Sequence, residues 1–283
     1  MRWMGRQGSG NVEDRRGMGG KLAIGGGLGG VIILIISLLL GNNPLEQGTN
    51  DYGNGYLNQP AAATSAEEDE EVQFVDVVLN DTQTVWEEIF LEHGSRYIDP
   101  RLVVFSDSYQ SGCGFASAAT GPFYCPLDSK VYIDLSFFRE LDTRFNASGD
   151  FAKAYVIAHE VGHHVQHLMG TTDKVDQQRG RISEKQMNAL SVKLELQADF
   201  YAGVWAHYEQ QMGVLDPGDI EEALRAAHAI GDDRLQKESQ GYVVPDSFTH
   251  GTSAQRMFWF KKGYETGDIR EGDTFGGMFA AVR

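Results

Sequence analysis

Apolar positions recur at helical spacing over several stretches of the chain, and each such stretch predicts a helix with one buried face. Val75, Val78, Leu79, Val85, Trp86, Ile89 and Phe90 make the first, which stops at Gly94. Phe151, Ala154, Tyr155, Ala158 and Val161 to Val165 make the second, with Asp150 near its start and Gly170 after its end. Ser183-Glu-Lys-Gln186 is a capping box that opens a long helix through Leu190, Leu194, Leu196, Ala198, Tyr201, Val204 and Trp205 to Met212. Asp216-Pro217-Gly-Asp219 predicts a further start, with proline in the first turn, running through Ile220, Leu224 and Ala227. Thr252-Ser-Ala-Gln255 resembles another capping box before Met257–Tyr264, and Ser136 to about Phe145 reads as a short helix. Leu102–Phe105 and Lys130–Leu135, bounded by turn residues, predict strands. Residues 171–182 are a more polar stretch, and residues 231–251 are expected to be irregular. A small sheet plus helices, an α+β domain, is therefore expected over residues 72–283.

One stretch breaks this pattern. Leu22 to Leu40 contains no charged residue and ends in Val31-Ile-Ile-Leu-Ile-Ile-Ser-Leu-Leu-Leu40. Its 19 residues, at about 1.5 Å each, nearly match a hydrocarbon core of about 30 Å, so residues 22–40 are expected to be a transmembrane anchor. Through residue 41, Arg2, Arg6, Arg15, Arg16 and Lys21 stand against Glu13 and Asp14, a net +3, which leaves −19 for the remainder of a chain whose total is −16. Basic flanks place the N-terminus in the cytoplasm and the rest outside. Residues 1–21 then read as a disordered cytoplasmic tail and residues 41–71, rich in Gly, Asn, Gln and acidic residues, as a flexible linker. Leu40-Gly-Asn-Asn-Pro-Leu45 has no small-residue cleavage site, so an uncleaved anchor is expected over a cleaved signal peptide.

Composition excludes little else. The apolar content of 41% and charged content of 23% are those of a folded protein. The acidic balance argues against nucleic acid as a partner, because phosphate binding needs a basic surface. The two cysteines, Cys113 and Cys125, bracket a loop with Gly121-Pro122 turn chemistry. They can close a disulfide, which persists only in an oxidising compartment, or remain two thiols.

The chemistry concentrates in the second helix, at His159-Glu160-Val161-Gly162-His163. Positions four apart return to one helical face, so His159 and His163 can offer two imidazole nitrogens to one ion, and Glu160 can reach a water without binding the metal itself. Two histidines and one further protein ligand leave a tetrahedral Zn²⁺ a fourth position for water, whose pKa falls to about 7. Glu160 is then the general base. Gln166 and Met169 stand where a third histidine motif would need Gly and His, so the third ligand is sought among later glutamates. In Glu195-Leu-Gln-Ala-Asp199 two carboxylates four apart sit in an otherwise apolar segment. Glu195 is assigned to the metal and Asp199 to the outer N–H of a ligating histidine. Glu184 and Glu209 are the alternatives, as is a solvated charge pair at 195 and 199. His164 and His167 are expected at the surface or in support, and His207 and His228 as structural or exposed.

Peptide hydrolysis needs two further devices. One is a donor for the carbonyl oxygen, for which His250 is the candidate; Arg256 could orient it or bind a substrate carbonyl, and both also read as ordinary loop polar residues. The other is a sheet edge to which an extended peptide can add, for which Tyr132, Ile133 and Asp134 are the candidates, with an interior strand as the alternative.

Seven separated segments then carry a resemblance. Met1-Arg-Trp-x-Gly-Arg6 with Asn11-Val-Glu-Asp-Arg-Arg16, Gly121-Pro-Phe-Tyr-Cys-Pro126, Val131-Tyr-Ile-Asp-Leu-Ser136, His159 to Gln166, Glu195 to Asp199, Ala229-Ile-Gly-Asp-Asp-Arg-Leu235 and Ser247-Phe-Thr-His-Gly-Thr252 occur in order. Together they resemble the bacterial neutral zinc metallopeptidase family. The resemblance implies a single-pass inner-membrane protein whose zincin-like domain is periplasmic or otherwise extracytoplasmic. It implies zinc on His159, His163 and Glu195, Glu160 as base, Asp199 in support, His250 as a transition-state donor, and a peptide or protein substrate. The competing reading is a non-catalytic membrane adaptor or chaperone that keeps zinc for stability. A di-iron carboxylate site is set aside, because no second Glu-x-x-His is present.

Overall fold

The computed structural model describes residues 1–17, 65–117 and 120–276. The first predicted helix, α1, spans Ala66–Glu92 and so begins inside the expected linker. Its extra turns are acidic rather than apolar. Ser65 caps them by accepting from the Glu68 N–H, and Glu67, Glu68 and Asp69 sit where the helix dipole favours negative charge.

The expected tail is corrected for residues 1–17, which fold onto the domain. Val12–Asp14 form strand β1, paired in parallel with β2, Arg101–Phe105, in the register Val12 to Leu102 and Asp14 to Val104. Trp3 is 7% exposed, packs edge-on against Phe74 and donates its indole N–H to Asp150. Arg6 grips the Asp81 carboxylate with two hydrogen bonds of 2.7 Å. A three-residue strand between glycine turns has no periodicity to read, and its partners are all distant in sequence.

Strand β2 also pairs in parallel with β6, Lys130–Asp134, which pairs on its other side, antiparallel, with β5, Phe123–Cys125. The sheet order β1-β2-β6-β5 makes β6 an interior strand, and this corrects the expectation that Tyr132, Ile133 and Asp134 offer a peptide-binding edge. Ile133 joins the main core, Tyr132 a smaller cluster with Phe105 and Cys125, and Asp134 accepts from the Ser136 N–H. A separate hairpin, β3 (Ser108–Ser111) with β4 (Gly114–Ser117), follows β2, and Cys113 in its turn is bonded to Cys125 at the end of β5.

The helices follow: α2 (Ser136–Thr143), α3 (Asp150–Leu168), α4 (Thr171–Asp176), α5 (Glu184–Gln211), α6 (Asp219–Ala229), α7 (Asp232–Gln240) and α8 (Ser253–Thr266). Both capping boxes form. Helix α6 starts later than expected, with Gly218 at the cap in a left-handed conformation and Pro217 outside it. Helix α4 lies in the polar stretch, and α7 corrects the irregular one. The inward face of α7 is polar, with Asp232 and Gln236 buried, so a search for apolar spacing passes over it.

Two close approaches set the helix layer. A Cβ on Gly162 of α3 would lie 3.0 Å from the Ala198 carbonyl oxygen of α5. Gly203 of α5 and Gly263 of α8 face each other's helices, where an added Cβ would meet the carbonyl of Phe260 or of Phe200. Any side chain at these points would push the helices apart. Among the described residues no helix is long and apolar enough to cross a membrane; the expected anchor, residues 22–40, lies outside them.

Candidate metal centre

The Gly162 contact brings the metal-motif face of α3 against Glu195 and Asp199 of α5. His159 Nε2 lies 3.1 Å from one Glu195 carboxylate oxygen and His163 Nε2 3.5 Å from the other. One ligating atom from each of these three residues lies within 4.8 Å of the others. Glu184, exposed at the start of α5, and Glu209, buried near its far end, are not in this group.

Both rings are held from behind. His159 Nδ1 donates to Asp199 Oδ1 at 2.9 Å, and His163 Nδ1 to Gln166 Oε1 at 2.9 Å. The Gln166 amide is oriented by its own donation to the Leu194 carbonyl at 2.7 Å, which leaves its oxygen to accept. With Nδ1 committed to these partners, each Nε2 faces a Glu195 oxygen, an arrangement satisfied either by a proton on Nε2 or by a cation held between ring and carboxylate. Two imidazole nitrogens and a carboxylate, with rings oriented by outer hydrogen bonds, are the donor set zinc takes in hydrolytic sites.

Asp199 is fully buried and fully used. It accepts from Tyr155 Oη at 2.5 Å, from His159, and from Arg256 through Nε at 2.8 Å and Nη2 at 2.9 Å. Burial would raise its carboxyl, but Arg256 and His159 overcome this and hold it at about 2. Arg256 therefore acts on Asp199, not on His250 as one reading of the sequence had it. Burial likewise opposes ionisation of Glu195, and the positive potential of His163 and His250 reverses that, leaving it well below the carboxylate range. Burial lowers the His163 ring and Glu195 raises it, to about 9. Glu160, 7% exposed, is shifted the other way: burial pushes its carboxyl up.

His250 lies in the loop before α8 and is held by a residue that sequence reasoning missed. Asp232, buried at the start of α7, accepts from the backbone N–H groups of Thr249, His250 and Gly251 at 2.8, 2.6 and 3.0 Å. Its other oxygen lies 3.1 Å from His250 Nδ1. Burial lowers the His250 ring, while Asp232 and Glu195 together raise it, so the imidazole stands within electrostatic reach of the metal-candidate carboxylate. The signal available in the sequence was an acidic residue inside a quoted motif, Ala229 to Leu235, with no apolar period to explain it. His164 and His167 are bridged by the Tyr124 hydroxyl of β5, His207 bonds the Tyr264 carbonyl, and His228 lies near Arg234.

The profile of the family described as "Putative neutral zinc metallopeptidase" matches residues 1–275. The chain belongs to this family. Its match takes in residues 1–17, the metal-motif helix, Glu195 and the Asp232–His250 loop alike. Uncharacterized protein YpfJ of Escherichia coli is 49% identical over 284 residues, covering 98% of this chain and 99% of that protein. Uncharacterized protein Rv2575 of Mycobacterium tuberculosis is 43% identical over 207 residues, covering 69% of this chain and 68% of that protein. No solved structure matches. The zinc of the family's description suits the donor set formed by His159, His163 and Glu195.

Proposed function

We propose that this chain hydrolyses peptide bonds within proteins or peptides as a zinc-dependent endopeptidase. The observation that carries the reading is the convergence of two backed imidazoles and Glu195, with a second carboxylate, the buried Glu160, beside them in the same motif. His159, His163 and Glu195 would hold the ion, which when bound supplies Lewis acidity and brings a water's pKa near neutral.

The remaining work belongs to the chain. Glu160 takes the proton from the attacking water as oxygen adds to the peptide carbon, then passes it to the amine nitrogen as the C–N bond breaks. Burial supports both halves of that task, since a carboxylate whose proton affinity is raised accepts a proton more readily than an exposed one and can return it. His250, oriented by Asp232, donates to the carbonyl oxygen as negative charge develops there. Asp199 keeps His159 in its Nδ1–H tautomer, and Gln166 does the same for His163. An extended substrate adds to the outer edge of β5 in place of the interior strand β6; Tyr124 ties that edge to α3.

Glu160→Gln tests the reading. It should retain zinc, because it removes no ligand, and lose about 10²- to 10⁴-fold in cleavage of a peptide library. Wild-type cleavage by this variant would discard the mechanism. The adaptor alternative requires a fourth protein ligand closing the site; among the described residues the candidate group has three.

A further inference from the structure

The two flanks of the apolar stretch meet on one body. Residues 1–17 lie on its N-terminal side and residue 65 onward on its C-terminal side, yet β1 is hydrogen-bonded in register to β2. Arg16 reaches Asp69 at 2.8 Å, and Ser9 Oγ donates to Asp76 at 2.6 Å. Paired strands are separated by about 4.8 Å, whereas one passage through a bilayer separates its ends by about 30 Å. Residues 41–64 contain Asn42, Asn43, Glu46, Gln47, Asn50, Asp51, Asn54, Asn58 and Gln59, too polar to make a return crossing.

The charge argument for a cytoplasmic N-terminus also loses its footing. Arg2 pairs with Asp216, Arg6 with Asp81, Arg15 with Glu13, and Arg16 with Asp14 and Asp69. Three of the five basic residues counted for the positive-inside rule, Arg2, Arg6 and Arg16, are thus partnered by acids beyond the counted stretch, which offsets the net +3 and leaves no bare positive flank.

We infer that residues 1–17 and 65–276 stand on the same side of the membrane, which is incompatible with one net crossing of the chain between them. The Cys113–Cys125 bond makes that side the oxidising one. This inference does not depend on the proposed hydrolysis.

A cross-link and a labelling pair test it in the full-length chain in intact bacterial cells. A Cβ on Gly8 would lie 3.4 Å from the Asp76 Cβ, close to the mean of about 3.8 Å in disulfides. The Gly8→Cys/Asp76→Cys protein is expected to close this bond without added oxidant, read as resistance to a maleimide mass tag until reduction. Met4→Cys and Leu91→Cys, at positions 73% and 76% exposed, are expected to react to the same extent with a membrane-impermeant maleimide before permeabilisation. Reaction of one with protection of the other would overturn the inference. Protection of both would overturn its assignment to the oxidising side. The labelling pair stands even if the double variant does not fold, because neither site carries buried packing.

Discussion

Two buried charge clusters lie on opposite stretches of α5 and are built on opposite principles. Around Asp199 every carboxylate oxygen is partnered, by Tyr155, His159 and Arg256. Around Glu209 neither oxygen has a hydrogen bond, Arg6 stands 3.8 Å away, and Arg6 is committed to Asp81. Burial pushes Glu209 up to about 8 and Asp81 to about 6, whereas Asp199 is held at about 2. The first cluster keeps its charge and uses it to orient a candidate ligand. The second tends to give up its charge, and its one cation fastens the N-terminal segment to α1. A buried carboxylate is thus a tool in one place and a clamp in the other, and the difference lies in how many donors reach it.

The sharpest way to break this contrast is to remove each arginine. Arg256→Met leaves Asp199 ionised and uncompensated, and urea unfolding should show a loss of about 3–5 kcal/mol. Arg6→Met leaves carboxyls that can bind protons instead, so the loss should be smaller, about 1–3 kcal/mol. Equal losses would mean that the two clusters do not differ as argued.

A smaller effect is expected from Asp232→Asn. It weakens the support of His250 and leaves the candidate ligands in place, so peptide cleavage should fall about 10- to 100-fold, the range seen for outer supporting residues. Zinc content should be unchanged, which metal analysis of the same preparation checks.

The smallest is a slope. A carboxyl whose folded pKa is about 8 against an ordinary 4.5 contributes its full stability below the lower value. That contribution disappears as pH rises toward the upper one, because across this window the folded chain still holds a proton that the unfolded chain has released. Replacing Glu209 with Gln should flatten this part of the stability profile between those two values. An unchanged slope would show that Glu209 is ionised in the fold.

The site was legible to the extent that it is local. His159, Glu160 and His163 follow from helical spacing alone, and Glu195 and Asp199 stood out as two acids in an apolar run. Asp232 was not legible, because an acid is recognised as buried only when the three backbone N–H groups it accepts from are known. Helix α7 was missed for the same reason: Gln236 turns inward to bond the Val244 N–H and the Ser247 hydroxyl, contacts that carry no apolar signature. Strand β6 was legible as a strand but not as an interior one, since strand order depends on partners far away in the chain.

By itself the sequence determined the capped helices and the His159–His163 motif, because these depend on neighbours within one or two helical turns, and it singled out Glu195 as a candidate third member by its place in an apolar run. Tertiary structure alone decided that residues 1–17 belong to the folded body, that β6 is an interior strand and β5 an edge strand, and that Asp232 holds His250. Each of these is settled by hydrogen bonds between segments separated by many residues, and such bonds leave no periodic trace in either segment.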